Sequence, residues 1–119
     1  MKSIDVIKKH YLESDSIITI GTFDGVHKGH ELVFKQIKNY TKLLPLVITF
    51  KKSPKDVIND NEVKCIYDIK TKEKLISEFG IKEIISIDFD DTIKVLTAEN
   101  FIELLKRHFK LKLLVIGED

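Results

Sequence analysis

A doubly wound, parallel α/β sheet is the fold class that this sequence predicts, and three observations predict it. Four short apolar runs recur along the chain, amphipathic helical patterns separate them, and the first run leads through a glycine-rich turn into a helix. Strands that alternate with helices form parallel crossovers, and runs without polar alternation suit strands covered on both faces. Ligands of such sheets bind beyond the C-terminal strand ends.

The four predicted strands are Ile17-Ile18-Thr19-Ile20, Leu44 to Phe50, Glu83 to Ile87 and Leu111 to Ile116, all rich in β-branched residues. Between the first two, Glu31 to Tyr40 reads as a helix with Leu32, Val33, Gln36, Ile37 and Tyr40 on the sheet side and Glu31, Lys35, Lys38 and Asn39 opposite. Lys70 to Phe79 reads as a second helix that buries Leu75, Ile76 and Phe79, and Gly80 is placed to take the left-handed conformation that ends it. Thr97 can cap a third, whose Phe101, Ile102, Leu104, Leu105, His108 and Phe109 follow helical spacing. Lys51 to Asn61, with Pro54, reads as a loop or short helical turn that could cover a site.

Composition narrows the function classes. A chain of 119 residues, 43% of them hydrophobic, has room for one compact domain and is too apolar for a disordered tail. Its 20 basic and 19 acidic side chains leave a net charge of +1, which gives no concentrated basic face for nucleic acid or a membrane surface. The first residues lack the apolar core of a signal peptide, and no run approaches the length of a membrane span. Cys65 is the single cysteine, so no internal disulfide or thiolate cage can form, and a reducing cytoplasm is the expected location. Nothing in the sequence sets the oligomeric state.

The segment that carries chemistry follows the first strand: Gly21-Thr22-Phe23-Asp24-Gly25-Val26-His27-Lys28-Gly29-His30, with the helix expected to begin at or beside His30. Glycines let backbone approach a ligand closely, and a helix start presents unpaired N–H groups and a positive dipole end, so phosphate is the natural guest. His27 and His30, three residues apart, can both donate hydrogen bonds to one anion. Asp24 reads as a residue that fixes the loop, because an ionised phosphate nucleophile needs no general base, and Lys28 reads as solvated. The remaining polar candidates have plain readings: His10 and His108 as structural, Cys65 as a small packed residue, and Asp88, Asp90 and Asp91 as a solvated turn in preference to a metal site.

This motif resembles the signature of the H-x-G-H nucleotidylyltransferases, and the Gly25-Val26 pair is most similar to the FMN adenylyltransferase module of bacterial bifunctional riboflavin kinase/FAD synthetases. The likeness continues through Leu46-Val47-Ile48-Thr49-Phe50, the Lys74-Leu75 helix with Phe79-Gly80-Ile81, Ile87-Asp88-Phe89-Asp90, Leu96-Thr97-Ala98-Glu99-Asn100-Phe101 and Val115-Ile116-Gly117-Glu118-Asp119, in the family's order. It implies a Rossmann-like sheet and the transfer of AMP from ATP to FMN, giving FAD and pyrophosphate, with Mg²⁺ carried by the ATP. By the same resemblance His27 and His30 serve catalysis at the ATP phosphates. Gly21, Thr22, Phe23, Asp24, Gly29, Gly117 and Asp119 form the nucleotide site, and Thr49 and Phe50 belong to the flavin or nucleotide pocket. The small molecules ATP and FMN are then the partners, and no metal ligands are indicated.

Two departures accompany the likeness. Lys51-Lys52-Ser53-Pro54 stands where the family commonly carries a Glu-Pro-His-Pro-like run, and Gly117-Glu118-Asp119 opens a G-x-D/N-F-x-F-G motif whose other residues lie outside the chain. The expectation is therefore one partial adenylyltransferase domain, residues 1–119, with the last strand or strands missing and no riboflavin kinase domain. A non-catalytic nucleotide-binding module and another H-x-G-H transferase, such as a cytidylyltransferase, stay open as alternatives.

Overall fold

A computed structural model describes residues 2–23, 28–51 and 62–116, with the backbone alone for residues 28, 29 and 62–68. The order along the chain is α1 (Ser3–Lys8), β1 (Ser16–Gly21), α2 (Lys28–Lys38), β2 (Leu44–Phe50), α3 (Glu62–Glu78), β3 (Glu83–Ile87), α4 (Asp91–Lys94), α5 (Ala98–Phe109) and β4 (Leu111–Val115). All four predicted strands form, in one parallel sheet ordered β3-β2-β1-β4. Ile18 pairs with Leu46 on one side and Leu114 on the other, and Leu46 with Glu83. Pro45 sits in a central strand at little cost: pairing with β3 begins only at Leu46, while Leu44 donates to Asp15 of the β1 side.

Period-two alternation sorts the strand residues into two cores. Ile18, Leu46, Ile48, Ile85 and Ile87 face Ile7 of α1, Ile93 of α4, and Leu105 and Phe109 of α5. Ile17 and Val47 face Phe34 and Ile37 of α2, Ile76 of α3, and Ile81. Helices thus cover both faces, as the doubly wound reading requires. From β1 the chain advances to β2 and β3, then returns through α4 and α5 to place β4 on the far side of β1. The direction of winding reverses between β1 and β4, and the crevice at such a reversal is where ligands bind.

Three expectations are corrected. The buried face of α2 is His30, Phe34 and Ile37: of the residues expected there Ile37 is buried and Val33 half-buried, but Leu32 is 68% exposed, and Gln36 and Tyr40 also face solvent. The helix begins at Lys28, which brings His30 into its first turn, and His30, Phe34 and Ile37 then form an i, i+4, i+7 stripe. The second predicted helix, α3, starts eight residues earlier, at Glu62 instead of Lys70. Third, β4 is a sheet edge whose Lys112 and Leu113 are exposed, so it is not covered on both faces.

Helix ends follow the predicted chemistry where caps were visible in the sequence. Thr97 accepts from the Asn100 amide at 3.1 Å and opens α5, and Gly80 adopts φ +86° after α3. The acidic turn does more than meet solvent. Asp90 accepts from the Thr92 amide at 3.1 Å and from the Ser3 amide at 3.0 Å, so one carboxylate caps the starts of both α4 and α1. The Ser3 hydroxyl donates to the Asp88 carbonyl at 2.6 Å. These contacts fix α1, a helix that sequence pattern alone does not announce. Burial pushes the Asp90 carboxyl upward, but bonds from Thr92 and Ser3 prevail and hold it at about 2. His10 and His108 are structural as expected: His10 donates through Nδ1 to Val6, and His108 through Nδ1 to the carbonyl of His10. Cys65 lies in α3, with its side chain outside the described residues.

Candidate active site

The glycine-rich turn leaves β1 next to the reversal point. Gly21 is the last residue of β1, in register with Thr49 of β2. The next carbonyl, that of Thr22, accepts the Thr49 hydroxyl at 3.1 Å and the Lys72 ammonium at 2.6 Å. Lys72 also donates to the carbonyl of Phe50 at 2.9 Å. One lysine from α3 therefore joins the ends of the two central strands.

Phe23 follows with φ +50°, a left-handed conformation that is uncommon for a residue with a bulky side chain. Tertiary packing holds it there. Its ring is buried, edge-on to His30 with centroids 5.0 Å apart and an interplanar angle of 84°, and tilted against Phe34 at 5.2 Å. Phe34 continues the aromatic line to Phe79 at 5.4 Å. His30 is 3% exposed, in the first turn of α2, so its imidazole is part of the loop's packing as well as the helix entry.

Of the residues singled out in the sequence, Gly21, Thr22, Phe23 and His30 come together at this corner, with Thr49 beneath them. Thr49 is buried, its hydroxyl committed to Thr22, whereas Phe50 turns toward the opposite face of the sheet. Asp24, His27, Gly117 and Asp119, the side chain of Lys28, and residues 52–61 of the loop expected to cover a site lie outside the described residues, and for Gly29 the backbone course alone is described, within α2.

On that opposite face a cleft of about 380 Å³ opens at the C-terminal ends of β1, β2 and β4. Ile20, Phe50, Leu96, Phe101, Leu114 and Ile116 are among its walls, with Thr97 at the start of α5. Phe89 stands edge-on to Phe50, with centroids 5.5 Å apart. Among the described residues, no three His, Cys, Asp or Glu side chains gather in a way that could hold a metal ion.

Residues 9–119 match the FAD synthetase family. The chain belongs to that family. Relatives include the bifunctional riboflavin kinase/FMN adenylyltransferases of Buchnera aphidicola subsp. Acyrthosiphon pisum, 33% identical over 91% of this chain and 36% of the relative, and of Escherichia coli K12, 32% identical over 87% and 34%. That of Bacillus subtilis strain 168 is 31% identical over 87% of the chain and 35% of its own length. The chain thus spans about a third of the length of the curated relatives it matches. Family membership agrees with the parallel sheet and with the resemblance read from the glycine- and histidine-containing turn.

Sequence reasoning missed two features at this end of the sheet. Lys72 was one, although the signal was present: it stands four residues before Ile76 and seven before Phe79, on the buried stripe of α3. The apolar cleft was the other, since its walls come from four separate stretches of chain. Among the described residues no helix is long and apolar enough to cross a membrane.

Proposed function

We propose that this chain carries the FMN adenylyltransferase step: transfer of AMP from ATP to FMN, with release of pyrophosphate. One observation carries the reading. The strand reversal sets the glycine-rich turn, with His30 at the helix start, at the end of β1, and Ile20 of the same strand lines an apolar cleft across the sheet. A polyanion and a flat apolar ring system can therefore meet at one strand end.

In the proposed reaction a phosphate oxygen of FMN attacks the α-phosphorus of ATP. One P–O bond forms, the bond to the pyrophosphate oxygen breaks, and pyrophosphate departs with the electron pair. No protein nucleophile is required, so the chain contributes positioning and charge. His27 and His30 donate to the ATP phosphates, aided by the N–H groups at the start of α2. Gly21, Thr22, Phe23, Asp24 and Gly29 shape the nucleotide side, with Gly117 and Asp119, which follow β4 in the sequence, adding contacts. The flavin ring occupies the cleft against Phe50 and Phe101.

Mg²⁺ is proposed to enter on the triphosphate, in the manner usual for an ion that keeps most of its water. It supplies charge neutralisation there. A cytoplasmic setting follows from the proposed substrates. Incubation with Mg·ATP and FMN, followed by chromatography for FAD, tests the reading. FAD is expected with ATP and not with CTP; preference for CTP would instead identify a cytidylyltransferase, and binding of ATP without turnover a non-catalytic module.

A further inference from the structure

We propose that Lys72 is a positioning residue for the phosphate-binding turn: its ammonium ties the carbonyl of Thr22, where the turn leaves β1, to the carbonyl of Phe50, where β2 ends. The tie itself rests on the geometry alone; its consequence for turnover rests on the FMN adenylyltransferase reading.

Lys72 is 6% exposed, and lysine is rarely so buried unless its ammonium is bonded. Its stem lies on the stripe that includes Ile76 and Phe79, where an apolar side chain would pack without the cost of desolvating a charge. The charge lies instead at the rim of the sheet, 2.6 Å from the Thr22 carbonyl oxygen and 2.9 Å from that of Phe50. Beyond it, the Lys51 amide donates to Ile87 at 2.8 Å. The ends of β1, β2 and β3 are thereby fastened in one line.

Two effects follow. The first is orientation. With the Thr22 carbonyl held by Lys72 and Thr49, the strained Phe23 backbone has a fixed base, and the Phe23 ring in turn sets the plane of His30. The second is charge. A buried cation at the end of β1, where the proposed triphosphate site begins, stabilises that polyanion without reorganising.

Lys72→Met keeps the stem and removes the ammonium. The amide resonances of Phe23 and Lys51, which follow the two acceptor carbonyls, are expected to move. The kcat/KM for ATP is expected to fall between about 10- and 100-fold, mostly in kcat, as misplacement of reacting groups does. A folded Lys72→Met protein with unmoved Phe23 and Lys51 amides, or with wild-type kcat/KM, overturns the proposal. Should Lys72→Met fail to fold, the unaltered protein decides. A slowly exchanging lysine ¹⁵Nζ resonance that shifts on saturation with Mg·ATP supports the proposal, and one that stays fixed in the ATP-bound protein overturns it. If the unaltered protein binds no Mg·ATP, the adenylyltransferase reading fails, and the two amide shifts still judge the tie.

Discussion

The Thr22 carbonyl accepts the Lys72 ammonium at 2.6 Å, across 50 residues of sequence, and directly beyond that bond Phe23 turns into left-handed backbone at φ +50°. The anchor and the strained residue are adjacent where the glycine-rich turn leaves β1. Without the fixed carbonyl and the buried ring, the backbone of Phe23 would relax to an extended conformation.

Phe23 therefore gives an inverted glycine–alanine order. Phe23→Ala loses the packing against His30 and Phe34 and is expected to cost about 3–5 kcal/mol. Phe23→Gly loses the same ring but regains freedom at positive φ, so it is expected to be the more stable of the two by about 1 kcal/mol. Urea unfolding of both variants checks this; a less stable glycine variant would contradict the left-handed backbone.

Asp90 ties acid stability to the N-terminal helix. Its folded value of about 2 lies below the ordinary 3.8, so its contribution is complete above pH 3.8 and vanishes as pH falls through about 2. Near neutral pH, Asp90→Ala should cost about 1 kcal/mol through loss of the cap at α4, with further loss at the Ser3 amide. The stability difference between wild type and Asp90→Asn is expected to shrink from pH 4 to pH 2 in denaturant titrations. A constant difference would rule out the paired carboxylate.

Gly80 closes α3 at φ +86°, and a Cβ there would lie 2.5 Å from Lys38 Nζ. The lysine tip can swing aside, although it would surrender its 2.7 Å bond to the Phe79 carbonyl. Most of the cost of Gly80→Ala is thus conformational, about 1–2 kcal/mol. The same substitution in a Lys38→Ala background should retain most of that loss by thermal unfolding; near-complete recovery would make the collision the dominant effect.

What the sequence made legible, and what it hid, divides along range of interaction. β1 and β2 were readable because Ile17 to Ile20 and Leu46 to Phe50 are flanked by helices on both faces, which leaves their apolar runs uninterrupted. The Thr97 cap and Gly80 were readable because capping is local. By contrast α1 depends on Asp88 and Asp90, more than 80 residues away, and its six residues carry no strong periodicity. The face of α2 was misassigned because Leu32 and Tyr40, apolar by type, are exposed, while the polar His30 joins Phe34 and Ile37 on the buried stripe. Lys72 was hidden for a chemical reason: on a helix, lysine reads as solvated until its carbonyl partners are known.

The two histidines of the turn should separate in their effects. His30 is buried against Phe23, so His30→Ala is expected to lower both the unfolding midpoint and FAD formation. His27→Ala is expected to lower turnover by about 100-fold or more, the scale for removing a donor to developing charge, with a smaller effect on the unfolding midpoint. Parallel melting curves and rate measurements distinguish them, and equal turnover in wild type and His27→Ala would remove His27 from the chemistry.

The most direct test follows the α-phosphorus. With ATP labelled at that position and FMN as acceptor, the label is predicted to appear in FAD, one equivalent for each pyrophosphate released, and to be lost from FAD in His27→Ala. A folded chain that leaves all label in ATP, or releases it as AMP without forming FAD, would contradict adenylyl transfer at this turn.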